Sequence, residues 1–343
     1  MGKMSFFKKI MLFLNMILAF SLFLACIVPY TSSASLAFVS LTVPALVIAN
    51  MLFFLYWLLR KKIYMLLSLS ILVYGYITLG TFIGFNGSTK NGNDSDSISL
   101  LSYNVLGFHG RNHGDWETNT APQIIEFVKS ENPDVICFQE FQPNYVKKEM
   151  LKNYPYLANK FEIKKDLTGK DLAIYSKFKI INDGVLDFPD TFNGGVYVDI
   201  LYKNDTIRIY NLHLQSLSIR PGYFKKERSD KLFVRLRDSF AKQQRQSDIV
   251  RQHINDSPYP VVVSGDFNNT QFSKVYFNIK GDLNDSFLKA GHGYGETIKF
   301  WKFPFRIDMI LADPSIEFLS HKNYKINISD HEPIMATFKI TNE

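Results

Sequence analysis

The order of apolar and polar residues divides the chain into two parts near residue 86. Before it lie three long uncharged runs, Ile10–Tyr30, Ser35–Leu59 and Ile63–Phe85. Each is longer than the roughly 20 residues that a helix needs to cross about 30 Å of hydrocarbon, so the pattern predicts three transmembrane helices. A secretory signal peptide is the alternative for the first run. Its apolar core, however, exceeds the roughly 7 to 15 residues of such signals, and two more runs follow.

Beyond this point the pattern changes to short apolar runs. Residues 86–97 are mainly Gly, Asn, Ser and Asp, which is typical of a flexible linker. Helical patterns cover Ala121–Glu131 and about Leu232–Asn255. Runs with strand character are Ile98–Val105, Val135–Phe141, Leu172–Tyr175, Val196–Leu201, Ile207–Leu214, Val261–Ser264, Ile307–Ala312 and Ile334–Phe338. Many short strands with helices between them predict an α+β layered domain over residues 98–343.

Charge separates the same two parts. Six of the 39 basic residues and none of the 32 acidic ones precede residue 86, so the rest of the chain is nearly neutral. Lysines precede the first run and Arg60–Lys62 separate the second from the third, which places both positions in the cytoplasm. With three spans, residues 98–343 would lie on the extracytoplasmic side of the cytoplasmic membrane, periplasmic or extracellular. The two cysteines, Cys26 and Cys137, predict no disulfide framework.

Acidic, amide and imidazole side chains recur where the apolar strands end. The set consists of Asn104, Glu140, His213, Asp266, Asn268, Asp308, Asp330 and His331. Taken alone, VVSGDFNN around Asp266 and Asn268 predicts only a turn, because turns favour Gly, Asp and Asn. Asp308 is harder to explain in that way, since a carboxylate among the strand residues RIDMILA is costly to bury without a partner. Together the eight side chains predict one converging pocket.

Seven motifs follow one another in a fixed order: SYNVLG, DVICFQE, LAIYSK, NLHLQS, SGDFNN, RIDMIL and SDHEPI. The series resembles the endonuclease/exonuclease/phosphatase family over essentially the whole stretch from Leu100 to Phe338. Any one motif alone would be weak, but their order and chemistry together are specific. The resemblance implies a four-layered α/β/β/α sandwich, with two packed β-sheets flanked by helices and the site at one edge. It also implies hydrolysis of phosphate esters with a divalent metal.

The expected metal site follows from ligand chemistry. Hard oxygen ligands suit Mg²⁺, which keeps several waters and takes only one or two protein carboxylates. Glu140 is therefore the first candidate ligand, with the amide oxygen of Asn104 beside it. Asp330 would bind the metal or support the site, and Mn²⁺ or Ca²⁺ are alternatives to Mg²⁺. The metal would polarise the phosphoryl oxygen and stabilise the leaving oxygen.

The resemblance implies catalytic roles for the other residues. Asp266 would orient and deprotonate the attacking water, and Asn268 would hold the phosphate. Residues i and i+2 of an extended segment point the same way, so both side chains are expected to face the pocket. His331, oriented by Asp308, would donate to a phosphate oxygen in the transition state, and His213 would be a second donor.

Two positions bear on the subfamily. His213 is typical of the deoxyribonuclease- and sphingomyelinase-like branches, whereas abasic-site endonucleases carry an asparagine near this point. Tyr175 in LAIYSK stands where the family commonly has an aliphatic residue. Its phenol would either point at the phosphate or pack in the core.

Three functions remain open. The first is a metal-dependent phosphodiesterase of the nuclease type. The second is a phospholipid or sphingomyelin phosphodiesterase, favoured by a tether that holds the site near headgroups. The third, a catalytically silent membrane-anchored binding module, is disfavoured by the intact set of site residues. No segment indicates an obligate protein partner.

Two further stretches bear on the substrate. Ten Lys and Arg residues between Arg220 and Arg251 would either meet an anionic backbone or lipid headgroups, or form a solvated helix face. The aromatic and basic stretch IKFWKFPFR, residues 298–306, would stack bases, lie at a bilayer interface or form a packed hairpin.

Overall fold

The computed structural model describes residues 5–86, 96–110, 118–146, 151–160, 171–191, 193–217, 229–300 and 303–341. Most of the predicted linker, residues 86–97, lies outside the described residues. So do residues 220–228 of the basic stretch and residues 301 and 302 of the aromatic stretch.

Three apolar helices form the N-terminal part: α1 (Phe6–Ile27), α2 (Val43–Leu59) and α3 (Met65–Leu79). With their adjoining turns, α1 and α2 make helical segments of 25 and 23 residues that are long and apolar enough to cross a membrane. The third predicted span, Ile63–Phe85, contains a shorter apolar helix than expected. α3 has 15 residues, or about 22 Å at 1.5 Å per residue. It ends because Gly80 adopts a φ of 75°, and the chain then forms the short strand β1 (Gly84–Phe85).

Buried polar side chains join these helices. The Asn15 amide on α1 donates to Ser68 Oγ on α3 at 2.7 Å and accepts from Trp57 Nε1 on α2 at 3.0 Å. Such bonds between apolar helices are worth roughly 0.6 to 2 kcal/mol each. Gly75 lies beside Cys26 further along, so α3 runs parallel to α1. The three helices therefore pack as one up-down-up unit.

The first large sheet holds six strands. In spatial order they are β15 (Ile316–Asn323), β16 (Ile334–Ile340), β2 (Ile98–Asn104), β3 (Val135–Phe141), β5 (Asp171–Ser176) and β4 (Tyr156–Asn159). The central pair β2 and β3 is parallel, and the other neighbours pair antiparallel. Parallel strands end at the same edge, so residues that follow β2 and β3 come together there.

The second large sheet repeats this arrangement. In spatial order its strands are β10 (Asn284–Asp285), β14 (Asp308–Ala312), β9 (Val261–Asp266), β8 (Asp205–His213), β7 (Gly194–Tyr202) and β6 (Lys179–Asp187). Here β8 and β9 are the parallel pair. Two ribbons complete the described strands: β1 with β11 (His292–Gly293), and β12 (Ile298–Phe300) with β13 (Phe303–Phe305). The second ribbon shows that residues 298–300 and 303–305 pair as a hairpin, in which Phe303 is 67% exposed.

Alternation along the strands produces the layers. Leu100 and Val135 face the other sheet, whereas Leu101 and Ile136 face helix α4 (Ala121–Glu131). Helices α5 (Ser229–Asn255) and α6 (Lys274–Lys280) cover the outer face of the second sheet, and the short α7 (Ser286–Ala290) follows β10. The predicted four-layered sandwich is thereby confirmed. Its core between the sheets is mainly Val, Ile and Leu.

Candidate active site

The predicted site residues meet at one edge of the sandwich. There β2 ends at Asn104 in the first sheet, and β8 and β9 end at His213 and Asp266 in the second. Asp308, the first residue of β14, pairs in register with Asp266. Asn104 Nδ2 donates to Asp266 Oδ2 at 3.0 Å, so the site joins the two sheets.

Asp266 is buried and fixed on both oxygens. Its Oδ1 accepts from the backbone N–H of Asn268 at 2.7 Å, and its Oδ2 accepts from Asn104. The preceding Gly265 has a φ of 137°, and a Cβ there would lie 2.0 Å from the carbonyl oxygen of Leu212. Only glycine allows this approach of β8. The glycine in VVSGDFNN thus places the carboxylate at the end of the strand.

Asp308 and His331 form a buried pair. His331 Nδ1 lies 2.9 and 3.2 Å from the two oxygens of Asp308, and His331 Nε2 lies 3.6 Å from Asp266 Oδ2. Thr297 Oγ1 accepts from the backbone N–H of Asp308 at 3.2 Å. The three site residues therefore form a chain, Asp308–His331–Asp266, in which each imidazole nitrogen faces a carboxylate.

Glu140 is placed by an irregularity in β3. Its φ of 51° is rare for a residue with a side chain, and the pairing of β3 with β5 shifts between Gln139 and Phe141. Bulges and strained residues recur at active sites, where they redirect a side chain. His213 Nε2 lies 3.7 Å from Glu140 Oε1 and 3.7 Å from Asp266 Oδ2. His213 thus links Glu140 to the chain of acid and imidazole groups.

Asn268 lies beside Asp266, but for a reason other than the expected one. The strand ends at Asp266, and Asn268 has a φ of 49°, so the expectation of an extended segment is wrong. A tight turn forms instead, because Asp266 accepts the backbone N–H of Asn268. One amide hydrogen of Asn268 is committed to the carbonyl oxygen of Leu214 at 3.0 Å.

Tyr175 packs under α4. Its ring lies 6.2 and 6.0 Å from the rings of Phe138 and Phe141, in the apolar cluster between the first sheet and that helix. Tyr175 pairs with Ile136, four residues before Glu140, which separates the two backbones by about 13 Å along the strand. The ring of Tyr175 is therefore packed in the apolar core.

Burial and neighbouring charges set the protonation of the site. Burial raises the pKa of Asp266 to about 7; His331 opposes this rise and Asp308 adds to it. Burial lowers the pKa of His331, but Asp308, Asp266 and Asp330 outweigh it, so that pKa lies well above its usual value. Near neutral pH, a carboxylate able to accept a proton therefore lies beside an imidazolium able to donate one.

Asp266, Asp308 and His331 meet one geometric criterion for a metal site. Their ligand atoms lie within 4.8 Å of one another, and all three residues are buried. However, His331 Nδ1 is engaged by Asp308, and its other nitrogen faces Asp266. A metal at that nitrogen would require a neutral imidazole. The two flanking carboxylates favour the charged form, which suits acid–base work better.

Glu140, Asn104 and Asp330 offer a second set of possible ligands, all oxygen atoms. Asn104 Oδ1 accepts one hydrogen bond, from the backbone N–H of Leu106 at 3.1 Å, and a carbonyl oxygen has a second lone pair. Asp330 is partly exposed beside His331. A carboxylate and an amide oxygen at the open edge fit the preferences of Mg²⁺.

Two residues that support the site were not expected from the sequence. Ser329 Oγ donates to the carbonyl oxygen of Asn104 at 2.8 Å and accepts from the backbone N–H of His331 at 3.3 Å. Gln243 of α5 donates to the carbonyl oxygens of Asn268 and Gln215 at 3.1 and 2.7 Å. Ser329 stands inside SDHEPI but carries no charge to mark it. Gln243 lies in a helical pattern of polar residues that is equally typical of a solvent-exposed helix, so the pattern does not single it out.

Comparisons with known proteins agree with this architecture. Residues 101–331 match the model of the Endonuclease/Exonuclease/phosphatase family, and residues 8–82 match that of a domain of unknown function. No curated protein matches the chain.

Among solved structures, humanized D. rerio TDP2 is 18% identical, with a TM-score of 0.55 over 71% of this chain and 99% of that one. D. rerio TDP2 complexed with single strand DNA product is 18% identical, with a TM-score of 0.53 over 71% and 99%. The human Nocturnin catalytic domain with bound sulfate anion is 17% identical, with a TM-score of 0.52 over 71% and 95%. These likenesses show the fold.

Proposed function

The chain belongs to the endonuclease/exonuclease/phosphatase family, and on that premise we propose that it is a divalent-metal-dependent phosphodiester hydrolase of the nuclease type. The observation that carries the proposal is the buried chain Asp308–His331–Asp266 next to Glu140 at the open edge of the sandwich. This arrangement holds a base, an acid and a candidate metal ligand within one pocket.

Asp266 would take the proton of the attacking water. With its pKa raised to about 7, it is basic enough to accept that proton and is still partly ionised at neutral pH. His331 would donate to a phosphate oxygen as charge builds, held in orientation by Asp308. His213 would be a second donor, and the remaining amide hydrogen of Asn268 would hold the phosphate.

Glu140, Asn104 and Asp330 would hold the divalent cation, with Mg²⁺ as the first choice. When bound, the cation supplies Lewis-acid stabilisation of the phosphoryl and leaving oxygens. The N–H of Leu106 donates to Asn104 Oδ1, and the carboxylate of Glu140 lies 3.7 Å from His213 Nε2.

A cavity beside the site supports an extended anionic substrate. Its volume is about 580 Å³, within the usual range of roughly 300 to 1,000 Å³ for ligand pockets. It is lined by Gln215, two residues beyond His213, and by three cationic and two acidic residues of α5. The DNA product bound to D. rerio TDP2 makes nucleic acid the first substrate class to test.

A lipid phosphodiesterase is the second candidate, because α5 begins beside the N-terminal helices. Phe38, in the loop between α1 and α2, packs edge-on against Phe233 at 6.3 Å. Phe233 and Val234 are each 45% exposed. At the end of two membrane-spanning helices, these side chains would lie in the interface with the bilayer.

We propose that the N-terminal helices anchor the protein in the cytoplasmic membrane. Large apolar side chains such as Phe13 and Leu52, each 62% exposed, face away from the protein. The sandwich contacts Ser32 and Ser40 in the loop between α1 and α2, whereas Arg60–Lys62 lie at the other end of α2. α3 runs parallel to α1 and returns the chain to the side of the loop between α1 and α2. Because cationic loops favour the cytoplasm, the sandwich on that side would be extracytoplasmic.

The full chain in lipid nanodiscs provides the test. It would be assayed with Mg²⁺ or with a chelator against plasmid DNA, RNA, sphingomyelin liposomes and inositol phosphates. We expect Mg²⁺-dependent cutting of nucleic acid that is lost in Glu140→Gln and kept in the control Glu317→Gln, at a half-exposed residue of β15 paired with Lys339 of β16. Phosphocholine release alone would favour the second candidate. Hydrolysis that survives Glu140→Gln would contradict the metal assignment.

A further inference from the structure

The N-terminal helices pack on the loop that follows β9. Phe272, six residues after Asp266, is 3% exposed and lies in one apolar cluster with residues of all three N-terminal helices. Phe82, just after α3, packs edge-on against its ring at 6.5 Å. An aromatic side chain of the sandwich thus fills a site built by the helices.

Polar contacts surround this aromatic contact. Gln271 Nε2 donates to the carbonyl oxygen of Thr81 at 2.6 Å, and Lys274 Nζ donates to Ser32 Oγ at 2.8 Å. Thr270 Oγ1 lies 3.4 Å from the carbonyl oxygen of Ser40. Residues 270–274 therefore contact both the loop between α1 and α2 and the end of α3. The β1–β11 ribbon adds a backbone connection between the same two parts.

The loop of residues 267–274, which includes these contacts, connects directly to the catalytic residues. At its start, the backbone N–H of Asn268 donates to Asp266 Oδ1 at 2.7 Å. From its middle, Gln271 Oε1 accepts from Arg306 Nε at 2.8 Å, and Arg306 stands two residues before Asp308. The contact with the helices thus reaches both carboxylates of the acid–base chain through a few fixed residues.

We propose that the N-terminal helical unit holds the loop 267–274 in its catalytic conformation, with Phe272 and Gln271 as positioning residues. This gives a function to the segment that matches a domain of unknown function. A tether needs only a flexible connection, whereas here a buried aromatic contact and three polar contacts converge on one loop. The kinetic measurements below rest on the proposed function, whereas the hydrogen-exchange and co-purification measurements do not.

The first test removes the contact from either side in the full chain. Phe82→Ala and Phe272→Ala should each lower kcat about 10- to 100-fold with little change in KM, because a small displacement of the catalytic groups is costly. The double variant should lose no more than the stronger single variant, since both remove the contact between Phe82 and Phe272. Phe272→Leu should recover most of kcat. Phe23→Ala, which removes a ring stacked on Tyr74 in the same helices, is the matched control.

Hydrogen exchange of residues 267–274 provides a readout that needs no activity. We expect faster exchange there in Phe82→Ala than in Phe23→Ala. In a second experiment, a protease site placed in residues 89–94 of the wild-type chain is cut, and the two parts should still co-purify in detergent. The proposal would be overturned if the two parts separate while residues 267–274 keep their protection from exchange. It would also be overturned if these residues exchange at the wild-type rate in Phe82→Ala. If the wild-type chain hydrolyses no substrate, the proposed function fails and the exchange result still decides this inference.

Discussion

Two buried carboxylates in the second sheet are held in opposite ways. Asp285 is 2% exposed and accepts both Nη groups of Arg306, at 3.0 and 2.8 Å, and the hydroxyl of Tyr276 at 2.6 Å. Asp266 is 1% exposed, but its nearest cation, His331, stays 3.6 Å away. Burial raises the pKa of Asp285, yet Arg306 brings it below its usual value, whereas the pKa of Asp266 is raised to about 7.

Two histidines repeat the contrast, His321, which is half-buried, and His331, which is buried. His321 bonds Ser286 Oγ near Arg306, and burial lowers its pKa to about 4, so it is neutral. His331 lies between Asp308 and Asp266, and its pKa is raised. The nearly equal burial of Asp285 and Asp266 therefore has two outcomes. Asp285, bound by both Nη groups of Arg306, has a structural role. Asp266, whose imidazole neighbour His331 lies 3.6 Å away, remains able to exchange a proton.

Removal of Arg306 should have the largest effect. Arg306→Met leaves Asp285 buried without its cation, which should lower the free energy of unfolding by about 3 to 5 kcal/mol. Denaturant unfolding of the full chain in detergent measures it. Arg306→Met with Asp285→Asn removes the stranded charge and should regain part of the loss. Equal instability of the single and double variants would contradict the ion-pair explanation.

Substitution of His331 should lower the rate of hydrolysis. His331→Gln should slow hydrolysis by about 10² to 10³, because a preorganised donor to the transition state is lost. His321→Gln, at the half-buried histidine bonded to Ser286, should change the unfolding midpoint but leave kcat near wild type. Steady-state kinetics and melting curves of both variants make the comparison. A similar loss of kcat in both variants would contradict the distinction between the catalytic role of His331 and the structural role of His321.

The pH dependence of stability should reveal the raised pKa of Asp266. Between its ordinary pKa near 4 and about 7, the native state binds more protons than the unfolded state, so stability from this group is full at low pH and lost as the pH rises through 7. The limit is about 1.4 kcal/mol per pH unit. With a chelator present, Asp266→Asn should melt above wild type at pH 8 and approach it near pH 4. Parallel melting curves would argue for an ordinary pKa.

Tyr175→Phe should have the smallest effect. The ring stays packed on Phe138 and Phe141, so kcat/KM should stay within about twofold of wild type. Initial rates at low substrate concentration are sufficient to test this. A loss above about tenfold would return the phenol to the catalytic set.

The sequence predicted elements with strong periodicity. α4 and β3 occupy the predicted residues, Ala121–Glu131 and Val135–Phe141. β6 and β15 were missed because they are edge strands, half-exposed and rich in polar residues, so their apolar alternation is weak. The third span was overestimated, since an uncharged run does not show where a glycine ends the helix.

The site was predicted as a set of residue types, and its geometry was not. All eight strand-end residues lie at one edge, connected through Asp266, His213 and His331, as convergence required. The turn at Asn268 and the positive φ of Glu140 depend on tertiary pairing that no local pattern encodes. The same holds for the contact of Phe272 with the N-terminal helices, because its partners lie about 190 residues or more away in the sequence.

The most direct test compares Asp266→Asn with Asp285→Asn in the full chain. The measurement is kcat/KM for nucleic acid hydrolysis at saturating Mg²⁺, at a temperature where circular dichroism shows both variants folded. We predict a loss of about 10² to 10⁴ for Asp266→Asn, the usual range for a general base, and a rate near wild type for Asp285→Asn. Equal rates for the two folded variants would contradict the assignment of Asp266 as the catalytic base.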